Sequence, residues 1–151
     1  MLKVLLDSNV FLFGYPDKNT NSRTVMDSMD GIEYYPVISY HMLEEVAKRA
    51  KVLYGREVAG LIRLNVLTLP ELSIIGEDAT TSTIPKYDEF VADKSDLPHI
   101  CAFFLGECDI FVTSNMKLTR QRIKDQVNFM TPRDFVTSVL KKKPFDTPNG
   151  I

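Results

Sequence analysis

The sequence has few of the features that mark a disulfide-rich or membrane-spanning protein. It contains two cysteines, two histidines and no tryptophan among 151 residues. Two cysteines are too few for a disulfide framework, so we expect free thiols and a reducing, cytoplasmic setting. The sequence also lacks a secretory leader and the run of about 20 apolar residues that a membrane-spanning helix needs. We therefore expect a cytoplasmic protein with no membrane partner.

The charge is balanced. Lysine and arginine total 18, aspartate and glutamate total 20, and the formal net charge is -2. This excludes a polybasic nucleic-acid coat and an acidic tail, so any binding to phosphate must be local. The 44% of hydrophobic residues is enough for one core in a chain of this length. We expect one domain over residues 1–140 and a basic, loosely held tail over residues 141–151.

Short apolar runs alternate with helical patterns along the chain. The predicted strands cover residues 3–6, 34–38, 66–69, 109–113 and 127–130. Helices are predicted for residues 22–31, 39–54, 56–65, 85–90, 96–105 and 117–124, and from residue 131 onwards. In three of these helices we expect Ser22, Asp96 and Thr131 to cap the first turn. The alternation predicts an α/β fold, a three-layer α/β/α sandwich with a mostly parallel central sheet.

Three polar side chains fall where a strand ends or a helix begins. Asp7 follows the first apolar run, Asp96 precedes a helix, and Asn115 follows the strand at residues 109–113. In a doubly wound sheet, ligands bind in the crevice outside the carboxyl ends of the strands. We therefore expect these three side chains to meet at one edge of the sheet.

Four segments around these positions carry a family resemblance. They cover residues 4–12, 38–46, 93–102 and 108–115, and the first reads VLLDSNVFL. In this order they resemble the motifs of PIN domains, a fold of metal-dependent ribonucleases that includes toxins of the VapC type. The resemblance covers almost the whole of the predicted domain and implies the same three-layer fold.

The resemblance also implies a role for each matched residue. Asp7, Glu45 and Asp96 match the acids that hold the metal, and Asn115 stands where many active members have a fourth acid. Glu45 matches by its position after Ser39, although its place on the helical wheel does not separate it from its neighbour Glu44. Around these catalytic candidates, the expected supporting residues are Asn9, Asp93, Asp109, Thr113 and Ser114.

The expected cofactor follows from the chemistry of the acids. Clustered carboxylates repel one another unless a cation neutralises them. Because the three acids have no partnering histidine or cysteine ligands, Mg²⁺ or Mn²⁺ is favoured over Zn²⁺. His99 and Cys101 lie close to Asp96 in sequence, but a structural zinc site needs four ligands at recognisable spacing.

Asn115 lowers the charge of this acidic set by one. Its amide could coordinate an ion through the carbonyl oxygen or orient a bound water. Asp93 or Asp109 could compensate for the missing carboxylate by pointing inward.

Simpler explanations exist for each residue. Asp7 could cap a turn, Asp96 could be only a helix cap, and Glu45 could be a solvated residue on a helix face. Asn9 could brace Asp7 or the turn, or could touch substrate. Basic residues on two predicted helices could be solvated or could follow an RNA backbone; they are Lys48, Arg49, Lys51, Lys117, Arg120, Arg122 and Lys124.

The leading functional expectation is a metal-dependent endoribonuclease that hydrolyses RNA, with the toxin-like members of the family as one form of it. A second hypothesis is a catalytically weak or inactive PIN-like domain that binds RNA or a protein. A third, a phosphatase with Asp7 as nucleophile, needs a second acid where the chain has Asn9. The family resemblance further implies a homodimer and, for toxin-like members, an antitoxin partner.

Overall fold

The centre of the molecule is a parallel β-sheet. The computed structural model describes residues 1–120 and 122–151. Within them, the strands are β1 (Lys3–Leu6), β2 (Tyr35–Ser39), β3 (Ser73–Ile75), β4 (Ile110–Val112) and β5 (Phe129–Met130). The strand order is β3-β2-β1-β4-β5, and every pairing is parallel. This confirms the predicted α/β fold.

The helices complete the outer layers. In the part of the chain that the structure describes, they are α1 (Ser8–Gly14), α2 (Asn21–Asp27), α3 (Tyr40–Tyr54), α4 (Arg56–Leu67), α5 (Glu77–Tyr87), α6 (Leu97–Leu105) and α7 (Pro132–Ser138). Three consecutive residues of β1, Val4, Leu5 and Leu6, are completely buried. Since successive side chains of a strand point to opposite faces, both faces of the sheet are covered.

Local capping signals position two of the helices that the sequence predicted. The hydroxyl of Ser39 accepts a hydrogen bond from the Met42 N–H at the start of α3 (3.0 Å). Gly55 ends the same helix with a φ of 90°, a conformation that is unfavourable for residues with a side chain. Thr131 caps α7 in the same way as Ser39 caps α3. Ser39 therefore fixes where α3 starts, and with it the position of Glu45.

The start of α2 differs from the prediction. Thr20, and not Ser22, is the cap, because its hydroxyl accepts the Arg23 N–H (3.1 Å). The Ser22 side chain is buried instead. The helix ends at Asp27, several residues before the predicted end at Gly31.

The predicted strand at residues 66–69 is wrong. Val66 belongs to α4, where it is buried together with Ala59 and Ile62 at helical spacing. The third strand lies further along the chain, at Ser73–Ile75. Because β3 is an edge strand with two exposed residues, it lacks the apolar run that marks the buried strands.

Two predicted helices are also corrected. The basic segment 117–124 forms two short 3-10 turns, Leu118–Arg120 and Arg122–Asp125, while residue 121 of that prediction lies outside the described residues. Its buried apolar side chains, Leu118 and Ile123, are five residues apart and do not share a helix face. The helix predicted at residues 85–90 is instead the end of α5 followed by a 3-10 turn, Asp88–Phe90.

The buried side chain of Asn21 contacts the C-terminal segment that follows the predicted domain. The Asn21 amide donates to the Phe145 carbonyl oxygen (2.9 Å) and accepts from the Phe145 N–H (2.8 Å). The backbone N–H of Asn21 donates to the carbonyl oxygen of Ile151 (2.8 Å). These bonds anchor the segment that carries Asn149, which lines the cavity described below.

We expect Asn21→Ala to destabilise the protein by about 2 kcal/mol, because it removes two hydrogen bonds to the backbone of Phe145. Urea unfolding measures this loss. Asn19→Ala is the control. Because the Asn19 side chain is exposed, this substitution should change the free energy of unfolding very little. An Asn21→Ala variant as stable as the control would show that the tail contributes nothing to the fold.

The two cysteines are unpaired, as the sequence predicted. Cys101 and Cys108 are both free thiols. Burial raises the pKa of Cys101 to about 11 and that of Cys108 to about 12. No helix among residues 1–120 and 122–151 combines the length and the apolar character needed to cross a membrane.

Candidate functional site

A cavity of about 640 Å³ opens at the carboxyl edge of the sheet. Strand β1 is flanked by β2 on one side and by β4 on the other, so the chain changes winding direction here. Open α/β sheets bind ligands at such switch points. The cavity is lined by Asp7, Glu45, Asp96 and Asn115, so the structure brings the four catalytic candidates together.

Asp7 follows β1 directly and is held between two strands. Its backbone N–H donates to the Val112 carbonyl oxygen at the end of β4 (3.0 Å). Its carboxylate, in a residue that is 6% exposed, accepts hydrogen bonds from the hydroxyls of Thr113 (2.6 Å) and Ser8 (3.3 Å). Asp7 occupies the cap position of α1 but makes no capping bond. The simpler explanation of Asp7 as a cap is therefore wrong.

Glu45 projects into the cavity from α3. One carboxylate oxygen accepts from the Ser8 hydroxyl (2.5 Å), and the other lies 3.6 Å from Nε2 of His99. The contact with His99, followed by the hydrogen bond from Ser8 and the charge of Arg49, lowers the pKa of Glu45 to about 2. The neighbouring Glu44 is exposed and does not line the cavity. The position of α3 on the sheet thus separates two glutamates that the helical wheel left equivalent.

Asp96 is 8% exposed and precedes α6. It makes no capping bond, and no side-chain hydrogen bond of Asp96 is found among the described residues. Burial raises its pKa, and the negative charges of Asp93, Asp7 and Glu45 raise it further. Helix capping therefore does not account for this carboxylate.

His99 is a cavity residue that the sequence argument did not assign to the site. It is 7% exposed, and its Nδ1 atom has no hydrogen-bond partner within the described part of the chain. Burial lowers its pKa, but the contact with Glu45 and the charges of Asp7 and Asp96 outweigh burial, so the net pKa is raised. The sequence did contain a signal for this residue. His99 follows Asp96 by three residues, a spacing that places both on the same helix face.

The pair of His99 and Glu45 should make the metal-free protein sensitive to pH. Because folding raises the pKa of His99, its contribution is complete below its ordinary pKa of 6.5 and disappears as pH rises through the raised value. In EDTA, we expect the free energy of unfolding to fall as the pH rises above 6.5. His99→Gln should reduce this dependence, and chemical denaturation across the pH range measures it. An equal slope in both proteins would contradict the pairing.

The supporting residues divide into two groups. Asp93, Thr113 and Ser114 lie at the site, and the Asp93 carboxylate accepts from the N–H and hydroxyl of Ser95 (3.0 and 2.7 Å). Asp109 does not reach the cavity. Its carboxylate accepts the Lys3 N–H (2.8 Å) at the amino end of β1, on the opposite edge of the sheet, so it cannot compensate for the missing acid.

Asn9 lines the cavity but braces a different residue from the one expected. Its amide oxygen accepts from Nη1 of Arg49 (2.7 Å), and the same Arg49 atom lies 3.7 Å from Glu45. This places a positive charge beside the acids. Asn9 therefore supports Arg49 and not Asp7.

The Asn115 side chain lines the cavity, and its oxygen is engaged by the local turn. Oδ1 accepts from the backbone N–H groups of Lys117 (3.1 Å) and Leu118 (3.4 Å). The Asn115 N–H in turn donates to the hydroxyl of Thr113 (3.0 Å), the residue that holds Asp7. The amide oxygen is therefore used by the local turn, against the expectation that it could face an ion.

The donor set fits a hard divalent cation. Asp7, Glu45 and Asp96 offer only oxygen ligands, and the raised pKa of Asp96 reflects burial beside other negative charges. Across the described residues, no three histidine, cysteine, aspartate or glutamate side chains are close enough as placed to hold an ion by themselves. Such an open arrangement suits Mg²⁺, which keeps several waters and typically uses one or two carboxylates plus a substrate phosphate.

Solved toxin–antitoxin structures share this fold. The structure of VapBC-1 from nontypeable Haemophilus influenzae matches 87% of this chain and 98% of its own, with a TM-score of 0.60 and 16% identity. FitAcB from Neisseria gonorrhoeae matches 85% of this chain and 97% of its own, with a TM-score of 0.62 and 15% identity. A toxin–antitoxin complex from Klebsiella pneumoniae gives a TM-score of 0.59 at 15% identity, over 85% of this chain and 97% of that one.

These likenesses concern the fold. No family model and no curated protein matches the sequence. The architecture is nevertheless a PIN-like α/β fold, which confirms the resemblance found in the four sequence segments. Activity, cofactor and partners require separate arguments.

Proposed function

We propose that this protein is a toxin-like endoribonuclease that hydrolyses RNA phosphodiester bonds with Mg²⁺ or Mn²⁺. One observation carries the proposal. Asp7 and Asp96 are buried at the starts of two helices and cap neither of them, and both share one cavity with Glu45. Buried acids that share one cavity repel one another and are costly unless a cation or a reaction uses them.

The acids Asp7, Glu45 and Asp96 would hold the ion together with waters and a substrate phosphate. When bound, a divalent cation supplies a water of lowered pKa and neutralises charge on a phosphate. The chain's own residues prepare this site. Thr113 and Ser8 fix the carboxylates of Asp7 and Glu45 through their hydroxyls.

Two cations at the cavity would bind the RNA backbone. Arg49 and Lys117 both line the cavity, next to the acids. Phosphate contacts from such side chains supply most non-specific affinity for nucleic acid. Because the net charge of the whole chain is -2, affinity for RNA depends on this local arrangement.

The direct test is cleavage of a mixed-sequence single-stranded RNA by the purified chain. We expect cleavage with Mg²⁺ or Mn²⁺ and none in EDTA, with activity restored when the ion is returned in excess. Cleavage that continues unchanged in EDTA would exclude the metal-dependent mechanism. No cleavage with either ion across a broad set of RNAs would exclude the nuclease.

A second candidate function is a catalytically weak domain that binds RNA or a protein. The observation in its favour is Asn115, whose oxygen is taken up by the turn and supplies no fourth ligand. Calorimetry separates the two functions. Clear Mn²⁺ binding that Asp96→Asn abolishes favours the nuclease, and no binding at millimolar Mn²⁺ favours the second function.

We further propose a protein partner of the antitoxin kind and a homodimer. The similar solved structures include toxin–antitoxin complexes, which supports the first part. Val52, Leu53, Leu61 and Leu64 are each more than half exposed on α3 and α4, which supports protein contacts in general. Light scattering after size exclusion should give twice the mass of the 17.2 kDa chain. A monomer at micromolar concentration would exclude the homodimer.

A further inference from the structure

The turn that follows β4 engages the side-chain oxygen of Asn115, a residue that lines the cavity. Its side-chain oxygen accepts two backbone hydrogen bonds, from Lys117 and Leu118. Only an oxygen can accept them, so these bonds also fix which end of the amide is oxygen and which is nitrogen. The nitrogen Nδ2 is left as the free end. An amide nitrogen donates hydrogen bonds and does not coordinate Mg²⁺ or Mn²⁺.

The free end of Asn115 belongs to the wall of the cavity. Asn115 is half-buried and lines it, and within residues 1–120 and 122–151 no acceptor for Nδ2 is found. The cavity therefore gains a hydrogen-bond donor at the position where the resemblance calls for an acid. The carboxylates of the cavity would hold a cation. A hydrogen-bond donor next to them, such as Nδ2, is suited to bind an oxygen atom of an anion.

Lys117 gives the same part of the cavity a positive charge. It is exposed and lines the cavity, and its ammonium group forms no ion pair with another described residue. Arg49 differs, because it already contacts Asn9 and Glu45. The ammonium N–H groups of Lys117 are thus available to bind a ligand in the cavity.

We propose that Asn115 and Lys117 form a subsite for a backbone phosphate of single-stranded RNA, next to the acids, and that Asn115 is not a metal ligand. Nδ2 of Asn115 donates to a phosphate oxygen, and Lys117 contributes charge. The subsite rests on the proposed function, since it assigns a place for the same RNA. It also divides the cavity into an acidic half for the cation and a donor half for the substrate.

Asn115→Asp is the most informative variant. The aspartate keeps one oxygen for the turn and replaces Nδ2 by a second oxygen, so the shape is preserved while the donor is lost. Binding of a fluorescein-labelled single-stranded RNA is measured by anisotropy in EDTA, where no cleavage occurs. We expect Asn115→Asp to bind at least about tenfold more weakly than the wild type. Asn128→Asp is the matched control: the exposed Asn128 leads into β5, outside the cavity, and the same change there should have little effect.

Lys117→Gln tests the charge. Each phosphate contact on a single strand contributes about 0.7 to the slope of log affinity against log salt. We expect Lys117→Gln to reduce that slope by about 0.7 and Asn128→Gln to leave it unchanged. An unchanged slope for Lys117→Gln would remove Lys117 from the subsite.

Metal binding tests the other half of the proposal. Asn115→Ser keeps a short oxygen acceptor for the turn but removes the amide. We expect its Mn²⁺ affinity, measured by calorimetry, to stay within about twofold of the wild type. A tenfold loss of Mn²⁺ affinity in Asn115→Ser would overturn the proposal. So would an Asn115→Asp variant that binds RNA as tightly as the wild type, or a wild-type protein that does not bind RNA. Absence of cleavage by a wild-type protein that binds RNA through Asn115 would instead overturn the proposed function alone.

Discussion

Asp7→Asn lowers the rate of metal-dependent RNA cleavage by about a thousandfold or more. The substitution keeps the shape of the side chain and an oxygen that can accept from Thr113, but it removes the negative charge that would hold the cation. Losing one preorganised electrostatic contact to a transition state typically costs about 100- to 1000-fold, and a metal ligand contributes at least as much. Single-turnover cleavage of a labelled RNA measures the effect.

Asp109→Asn is the matched control for this experiment. It removes one carboxylate charge at the opposite edge of the sheet, where the asparagine oxygen can still accept the Lys3 N–H. We expect wild-type cleavage from this variant. Purifying both variants in parallel also exposes contamination, since a contaminating ribonuclease would be equally active in each. More than a tenth of wild-type activity in Asp7→Asn would remove Asp7 from the mechanism.

Asp96→Asn should have opposite effects on the metal-free and the metal-bound protein. In EDTA at pH 7, Asp96 is a buried carboxylate with a raised pKa, so its ionised form opposes folding. The neutral amide removes that penalty. We therefore expect the variant to unfold at a higher temperature than the wild type in EDTA.

Adding Mn²⁺ should reverse the order of stability. An ion at 100 times its Kd stabilises the wild type by about 2.7 kcal/mol, and the variant lacks the ligand needed to gain from it. Thermal unfolding in EDTA and in Mn²⁺ measures both effects in one series, with Asp109→Asn again as the control. A variant that is less stable than the wild type in EDTA and gains as much from Mn²⁺ would show that Asp96 has a structural role.

The parts of the fold that the sequence predicted are those with a strong local signal. Strand β1 consists of consecutive apolar residues because it is buried on both faces. Helix α3 has an apolar stripe, a serine cap at Ser39 and a glycine end at Gly55. In these elements the local preference and the tertiary environment agree, so the sequence was sufficient.

The errors fall where tertiary contacts decide between similar local signals. Thr20 and Ser22 are both good caps, and only the burial of Ser22 in the folded chain selects Thr20. Strand β3 is an exposed edge strand and leaves no apolar run to detect. The contact that anchors the tail joins Asn21 to Phe145, which are 124 residues apart.

The same distinction applies to the site. The meeting of Asp7, Asp96 and Asn115 followed from the rule that ligands bind at the carboxyl ends of parallel strands. The inward orientation of Glu45 needed the placement of α3 on the sheet, and the contact with His99 needed α6 beside it. The Asn115 oxygen accepts hydrogen bonds from two backbone N–H groups, and the sequence argument did not predict this contact.

The pairing of β1 with β4 also sets the order of events during protein synthesis. Asp7 receives its hydrogen bond from Thr113, a residue 106 positions further along the chain. The two strand ends that frame the cavity therefore cannot meet until Thr113 has left the ribosome. A nascent chain has no formed cavity before that point in its synthesis.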